Sequence, residues 1–251
     1  GCEYCYLKKG RGAKVLGGDK PILKKCFKNE DHALEVFKWE MLQNVYELRY
    51  NGLFFSFTTD PMLEETRGLT LLAMNSLVTN GIPIKVLTKC AEWVDVFLSA
   101  NNPFVCDNKA VRKHKIAFGF TLTGHDELEP NASTNANRIK AIRKLHDAGF
   151  KTFASIEPVI DFESSLKVIY ASCDCCDLYK VGLESGKKYD KKDLQDFIRQ
   201  VYYTRENYKG ALQSGEEIKV YFKDGLLKQA GINREDLPEN CVDRNYNIFQ
   251  I

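Results

Sequence analysis

Short runs of strand-forming residues alternate with stretches of helical spacing through most of the chain. Leu53-Phe54-Phe55-Ser56-Phe57-Thr58 opens the series as a strand, and Asp60-Pro61 punctuates it. Over 65–79, Leu69, Leu72, Met74, Leu77 and Val78 fall at helical spacing, and Asn80-Gly81 stops the helix. Residues 82–87 read as a second strand, with Pro83 near its start, where a missing backbone donor is tolerated. A short helix around 90–99 leads to a third strand over 116–121. The clearest helix covers 134–148, with Ile139, Ile142 and Leu145 three apart, cap candidates at Ser133-Thr134-Asn135 and Gly149 as the terminating residue. A fourth strand over 151–156 ends at Glu157-Pro158; a helix at 162–171, a strand at 178–182, a helix at 190–204 and a strand at 218–222 complete the pattern.

Strands separated by helices of this length imply parallel β–α–β units, which close as a doubly wound sheet or as a full or partial barrel. Periodicity does not choose between these. No linker rich in Gly, Pro or Ser interrupts the series. One core domain is therefore expected over 1–222, with the weakly patterned 223–251 as a C-terminal extension packing on it. The basic, glycine-containing stretch 8–30 reads as a surface loop.

Composition narrows the class. Apolar residues make up 44% and charged residues 28% of the 251, ordinary for a globular chain. The net charge of +2 is too small to imply nucleic-acid binding by itself. No apolar run is long enough for a membrane span, and no secretory signal is visible, so a cytoplasmic protein is expected. The chain opens on Gly1 rather than Met, consistent with residues preceding it. Nine cysteines, an odd count in a long chain, fit free thiols better than a disulfide framework. Cys26, Cys90 and Cys106 read as plain buried thiols, and Cys173, Cys175 and Cys176 precede a strand on the side away from the expected active rim. Cys241 lies in the weakly patterned tail; such a tail could fold back over the barrel mouth, but a hydrogen-donating or substrate-linked thiol there is the less favoured reading, and no role is assigned to it. The four histidines show no ligand spacing and receive no role.

Cys2 and Cys5 form a C-x-x-C pair whose two thiolates can reach one metal or one edge of an iron–sulfur cluster. Alone, the pair also fits half a zinc site or a redox dithiol. Gly1-Cys2-Glu3-Tyr4-Cys5-Tyr6 resembles the end of the C-x-x-x-C-x-x-C motif of the radical SAM superfamily. Cys2 matches its second cysteine, Cys5 its third and Tyr4 its aromatic position; the first cysteine would lie three positions before Gly1. The resemblance runs to about residue 220. Phe57-Thr58-Thr59-Asp60-Pro61, Thr88-Lys89, Gly119-Phe120-Thr121-Leu122-Thr123, Glu129-Pro130-Asn131-Ala132 leading to Arg138, and Ser155-Ile156-Glu157-Pro158 are similar, in order and spacing, to the spore photoproduct lyase-like branch.

The resemblance implies an α/β fold, a parallel partial (β/α)6 barrel truncated at its N-terminus, with its first strand before Gly1. It implies a [4Fe-4S] cluster on Cys2 and Cys5, S-adenosylmethionine (SAM) on the open iron, and reductive cleavage to a 5′-deoxyadenosyl radical that abstracts hydrogen. The electron donor would be a flavodoxin or ferredoxin. Tyr4, Thr59, Asp60, Thr121, Thr123, Arg138 and Glu157 are the implied cofactor-binding residues. This chain lacks the G-G-E segment common elsewhere in the superfamily, so the contact at Thr59-Asp60 differs. Lys89 and Lys180 stand at strand ends, where they could neutralise an anionic substrate. The branch suggests a nucleic-acid lesion as substrate, and the charge balance gives that little support. The competing reading is a metal-free or zinc-binding α/β protein with a binding or structural role.

Overall fold

The computed structural model describes residues 2–5, 20–55, 58–99, 113–207 and 218–249. Tyr6, Cys106, most of the basic stretch before residue 20 and the Ser56-Phe57 end of the first expected strand lie outside them. Six strands, β1 (Leu53–Phe55), β2 (Ile84–Thr88), β3 (Ile116–Thr121), β4 (Lys151–Val159), β5 (Leu178–Leu183) and β6 (Lys219–Phe222), form one sheet in chain order. Every neighbouring pair is parallel. This is a partial (β/α) barrel: each strand must return to the same end before the next begins, so helices fill the crossovers on the outside.

Those helices are α3 (Glu64–Thr79), α4 (Val94–Phe97), α5 (Asn135–Asp147), α6 (Phe162–Ser172) and α7 (Lys191–Asn207), close to where helical spacing places them. Of the cap candidates, Thr134 accepts from the Asn137 amide at 3.2 Å; Asp161, not marked as a cap by the sequence, caps the next helix by accepting from the Ser164 amide at 2.8 Å. Two further helices, α1 (Glu30–Gln43) and α2 (Val45–Asn51), precede β1. Only Ala33 and Met41 of α1 are buried, and Trp39, Leu42, Tyr46 and Tyr50 are exposed, so this pair has no clear apolar stripe to read in the sequence. A short helix α8 (Asp224–Ala230) follows β6.

Alternate residues of each strand face opposite ways. Ile84, Val86, Phe118, Phe120, Ala154, Ile156, Val181, Val220 and Phe222 join the helices in the main core. Between α4, β3 and Phe150, the rings of Trp93, Phe97, Phe118 and Phe150 meet at 5.1 to 5.7 Å in tilted and edge-on contacts. The other face lines the lumen. There Phe54, Leu87, Ala117, Phe153, Leu178 and Tyr221 meet Val242, Tyr246, Ile248 and Phe249 of the C-terminal tail.

The tail therefore packs inside the lower lumen instead of folding over the mouth. Its route begins on the edge of β6: the Val220 amide donates to the Asn240 carbonyl at 3.1 Å, and the Val242 amide donates to the Val220 carbonyl at 2.8 Å. This pairing satisfies backbone groups that an uncovered edge strand would leave open. It also fixes which way Cys241 faces. Cys241 packs on the helix side and its neighbour Val242 on the lumen side, so the thiol is turned away from the barrel interior. Cys173, Cys175 and Cys176, which the sequence left as either buried or surface thiols, are buried, and burial pushes the Cys176 thiol well above its ordinary value. Cys26 departs from expectation: it is exposed, in the segment just before α1.

Gly119 lets the aromatic lumen close. A Cβ at this position would lie 2.2 Å from the Phe153 ring, which is itself buried under the tail. Gly119→Ala is expected to lower stability by about 1–3 kcal/mol, the usual cost of overpacking a filled interior. Urea unfolding of the variant beside the parent checks it.

Candidate functional site

The loops after β2 and β3 converge on one carboxylate. Glu129 follows a short 3₁₀ turn (Asp126–Leu128), and its side chain has no exposed surface. One oxygen accepts from Arg138 Nη1 at 2.6 Å and from the Thr123 hydroxyl at 3.2 Å. The other accepts from the Tyr4 hydroxyl and lies 3.7 Å from Lys89 Nζ and 3.9 Å from Cys2 Sγ. Four separate pieces of chain thus meet on Glu129. The segment carrying Cys2 and Cys5 is a turn, with the Cys5 amide donating to the Cys2 carbonyl at 3.3 Å, and the Glu3 amide ties it to the Leu128 carbonyl at 3.0 Å. Lys89 also lies over the Tyr4 ring at 5.5 Å. Burial, then the Glu129 charge, push the Tyr4 phenol well above its ordinary value, so it stays a neutral donor.

Arg138 stands on α5 with its side chain fully buried. Its Nε donates to the Ser133 carbonyl at 2.7 Å and its Nη1 to the Thr121 carbonyl at 2.8 Å. Nη2 is buried without an acceptor among the described residues. An unmatched buried donor costs about 1–3 kcal/mol. Asp60 acts by positioning: Oδ1 accepts from the Thr88 hydroxyl at 2.7 Å and the Met62 amide at 2.9 Å, and Oδ2 accepts from the Lys89 amide at 2.7 Å. It fixes the end of β2 and with it Lys89. Thr59 is exposed beside it.

The remaining sequence candidates divide in two. Cys2, Tyr4, Thr121, Thr123 and Arg138 gather around Glu129, a residue that the sequence marks only as part of a similar segment. Glu157 lies apart on β4. Its carboxylate pairs with Lys223 at 2.5 Å and rests against Gly182, where a Cβ would lie 3.0 Å from the carboxyl group. Glu129 and Lys223 could be found in sequence only by knowing which loops meet.

The donors present suit the implied cofactors. Thiolates are soft ligands appropriate to iron–sulfur clusters, and the Cys2–Cys5 turn supplies two. The unmatched Arg138 N–H, with Lys89 close by, suits a carboxylate such as that of SAM. Among the described residues no group of three or more His, Cys, Asp or Glu side chains is set to hold a metal ion. A cluster on this turn therefore needs a further ligand from outside them.

His125 has a structural role that spacing did not reveal. Nδ1 meets Glu127 at 2.6 Å and Nε2 meets Asp161, the N-cap of α6, so the ring clasps the loop after β3 to the start of α6. Burial works to lower its pKa, but the hydrogen bonds to Glu127 and Asp161 outweigh it and raise the value. A raised folded-state pKa gives stability that is fully present below the unfolded value near ~6.5 and lost as pH rises through the folded one. The stability gap between the parent and His125→Gln is expected to be larger at pH 6 than at pH 9, measured by urea unfolding at both. Glu129→Gln leaves a buried guanidinium without its counter-charge; a loss of about 3–5 kcal/mol is expected in the same assay.

No family model and no curated protein matches the sequence. Solved structures do. Streptococcus suis SuiB bound to precursor peptide SuiA is similar over 96% of this chain and 50% of its own, at 13% identity and a TM-score of 0.53. A spore photoproduct lyase double mutant with bound AdoMet and dinucleoside spore photoproduct is similar over 82% of this chain and 57% of its own, at 17% identity and a TM-score of 0.48. Spore photoproduct lyase complexed with dinucleoside spore photoproduct covers 97% and 59%, at 18% identity and a TM-score of 0.46. The chain spans about half the length of these proteins. Among the described residues, no helix is long and apolar enough to cross a membrane. The likeness to SuiB shows the fold alone: this chain is a partial (β/α) barrel.

Proposed function

We propose that this chain is the core, over 1–222 with 223–251 as its extension, of a radical SAM enzyme. One observation carries the reading. The C-x-x-C turn is docked, through Tyr4 and Glu129, at the same place as a buried guanidinium N–H that lacks an acceptor among the described residues. In this reading Cys2 and Cys5 hold part of a [4Fe-4S] cluster, and Arg138 Nη2 and Lys89 receive the carboxylate of SAM. The bound pair supplies reductive cleavage of SAM to a 5′-deoxyadenosyl radical, which removes hydrogen from a substrate.

The chain's own residues hold and orient. Tyr4 fixes the cysteine turn as a neutral donor. Asp60, by holding the Lys89 amide and the Thr88 hydroxyl, sets where the Lys89 charge stands, and Thr59 flanks it. Thr123 and the Thr121 carbonyl lock Glu129 and Arg138, so neither must reorganise when ligand arrives. Glu157 faces the lumen from the other side. A flavodoxin or ferredoxin in the cytoplasm would supply the electron.

Anaerobic iron–sulfide reconstitution of the full-length protein tests this. About four irons per chain are expected, with an electron paramagnetic resonance signal altered by SAM and 5′-deoxyadenosine released on reduction. Cys5→Ala should abolish the signal. Uptake of zinc, or of no metal, would overturn the proposal in favour of a binding or structural role.

A further inference from the structure

The lumen holds a second set of charges that the cluster and SAM do not use. Lys180 on β5 faces inward, with Nζ 5.3 Å from the Phe54 ring centroid and 5.1 Å from that of Phe153. Strand register places it beside Ser155 of β4 and Tyr221 of β6, one layer above the Phe153–Leu178 floor that the tail packs against. Lys85 on β2 also faces inward, with Nζ 5.9 Å from the Phe249 ring of that tail. Lys223, at the end of β6, is the third cation, and Glu157 is its counter-ion. Among the described residues, three ammoniums therefore share the lumen with one facing carboxylate.

Two aromatic faces stabilise a cation, but they do not accept the three hydrogen bonds an ammonium can donate. Among the described residues, neither Lys180 nor Lys85 has a hydrogen-bond acceptor or an ion-pair partner. Both are half-buried. Burial first, then the charges of Lys85 and Lys223, hold the Lys180 pKa down at about 8, with Glu157 opposing. Gathering like charges in a partly dry lumen is unfavourable unless an anion completes the set.

We propose that Lys180 and Lys85, with the Ser155 hydroxyl, bind an oxyanion of the substrate, a carboxylate or a phosphate, in the barrel lumen. Calling the bound molecule a substrate rests on the radical SAM reading; the anion site does not. Phe54, Phe153 and the tail form an aromatic floor below the anion. In the radical SAM reading the anion would anchor one end of the substrate in the barrel.

The test uses the full-length protein without cluster, at constant ionic strength, with inorganic phosphate in one arm and acetate in the other. Acetic anhydride footprinting at pH 8, read by mass spectrometry, is expected to label Lys180 and Lys85, with protection by whichever anion binds. Titration calorimetry should show that anion bound about tenfold or more weakly by Lys180→Gln and Lys85→Gln, and unchanged by Lys167→Gln on the exposed face of α6. Equal labelling with and without either anion, or equal affinity in all three variants, overturns the proposal. Where a variant fails to fold, footprinting of the unaltered protein still decides. Failure of the cluster assay would leave a positive anion result standing, and the reverse also holds.

Discussion

A carboxylate without exposed surface cannot stay charged unless donors surround it, and Glu129 is in that position. The donors come from four places: Thr123 after β3, Arg138 on α5, Lys89 after β2 and Tyr4 in the cysteine turn. Thr123 and Arg138 lie near Glu129 along the chain, whereas Tyr4 and Lys89 are distant from it. The need to satisfy one buried charge therefore fixes the mutual position of loops that strand pairing alone would leave loose. It also explains why a short segment with little core of its own, Cys2 to Cys5, has a defined seat.

The same economy governs Arg138. Three of its contacts are with the chain, two to carbonyls and one to Glu129, and Nη2 has no acceptor among the described residues. A guanidinium held so firmly is preorganised: it would meet an acceptor without losing side-chain freedom at that moment. Asp60 works likewise by holding the backbone that carries Lys89. The two sides of the barrel divide the electrostatic work. The Glu129 side is balanced by close opposite charges, and the Lys180 side carries excess positive charge over an aromatic floor.

The C-terminal tail makes that floor. By pairing with the edge of β6 before entering the lumen, it covers an open strand and shortens the cavity from below with Ile248 and Phe249. The tail's place also explains Cys241. Alternation along an extended segment sends adjacent side chains to opposite faces, so a segment that delivers Val242 to the lumen must turn Cys241 outward.

Much of the architecture was legible in the chain because it depends on local repetition. Strand-forming runs separated by helical spacing, with a cap candidate at Thr134, marked the strands and their crossover helices, and crossover length made the sheet parallel. The cysteine turn and the polar strand ends, Asp60, Thr121, Thr123 and Glu157, were visible as residue types at strand termini. Helices α1 and α2 were not, since their exposed aromatics blur any apolar stripe. Nor could the sequence show that Glu129 gathers Tyr4, Lys89, Thr123 and Arg138, that His125 clasps Asp161, or that Lys85, Lys180 and Lys223 share one lumen. These depend on which loops and faces meet, a consequence of sheet closure and burial, and a charge's partner is set by distance in space rather than along the chain.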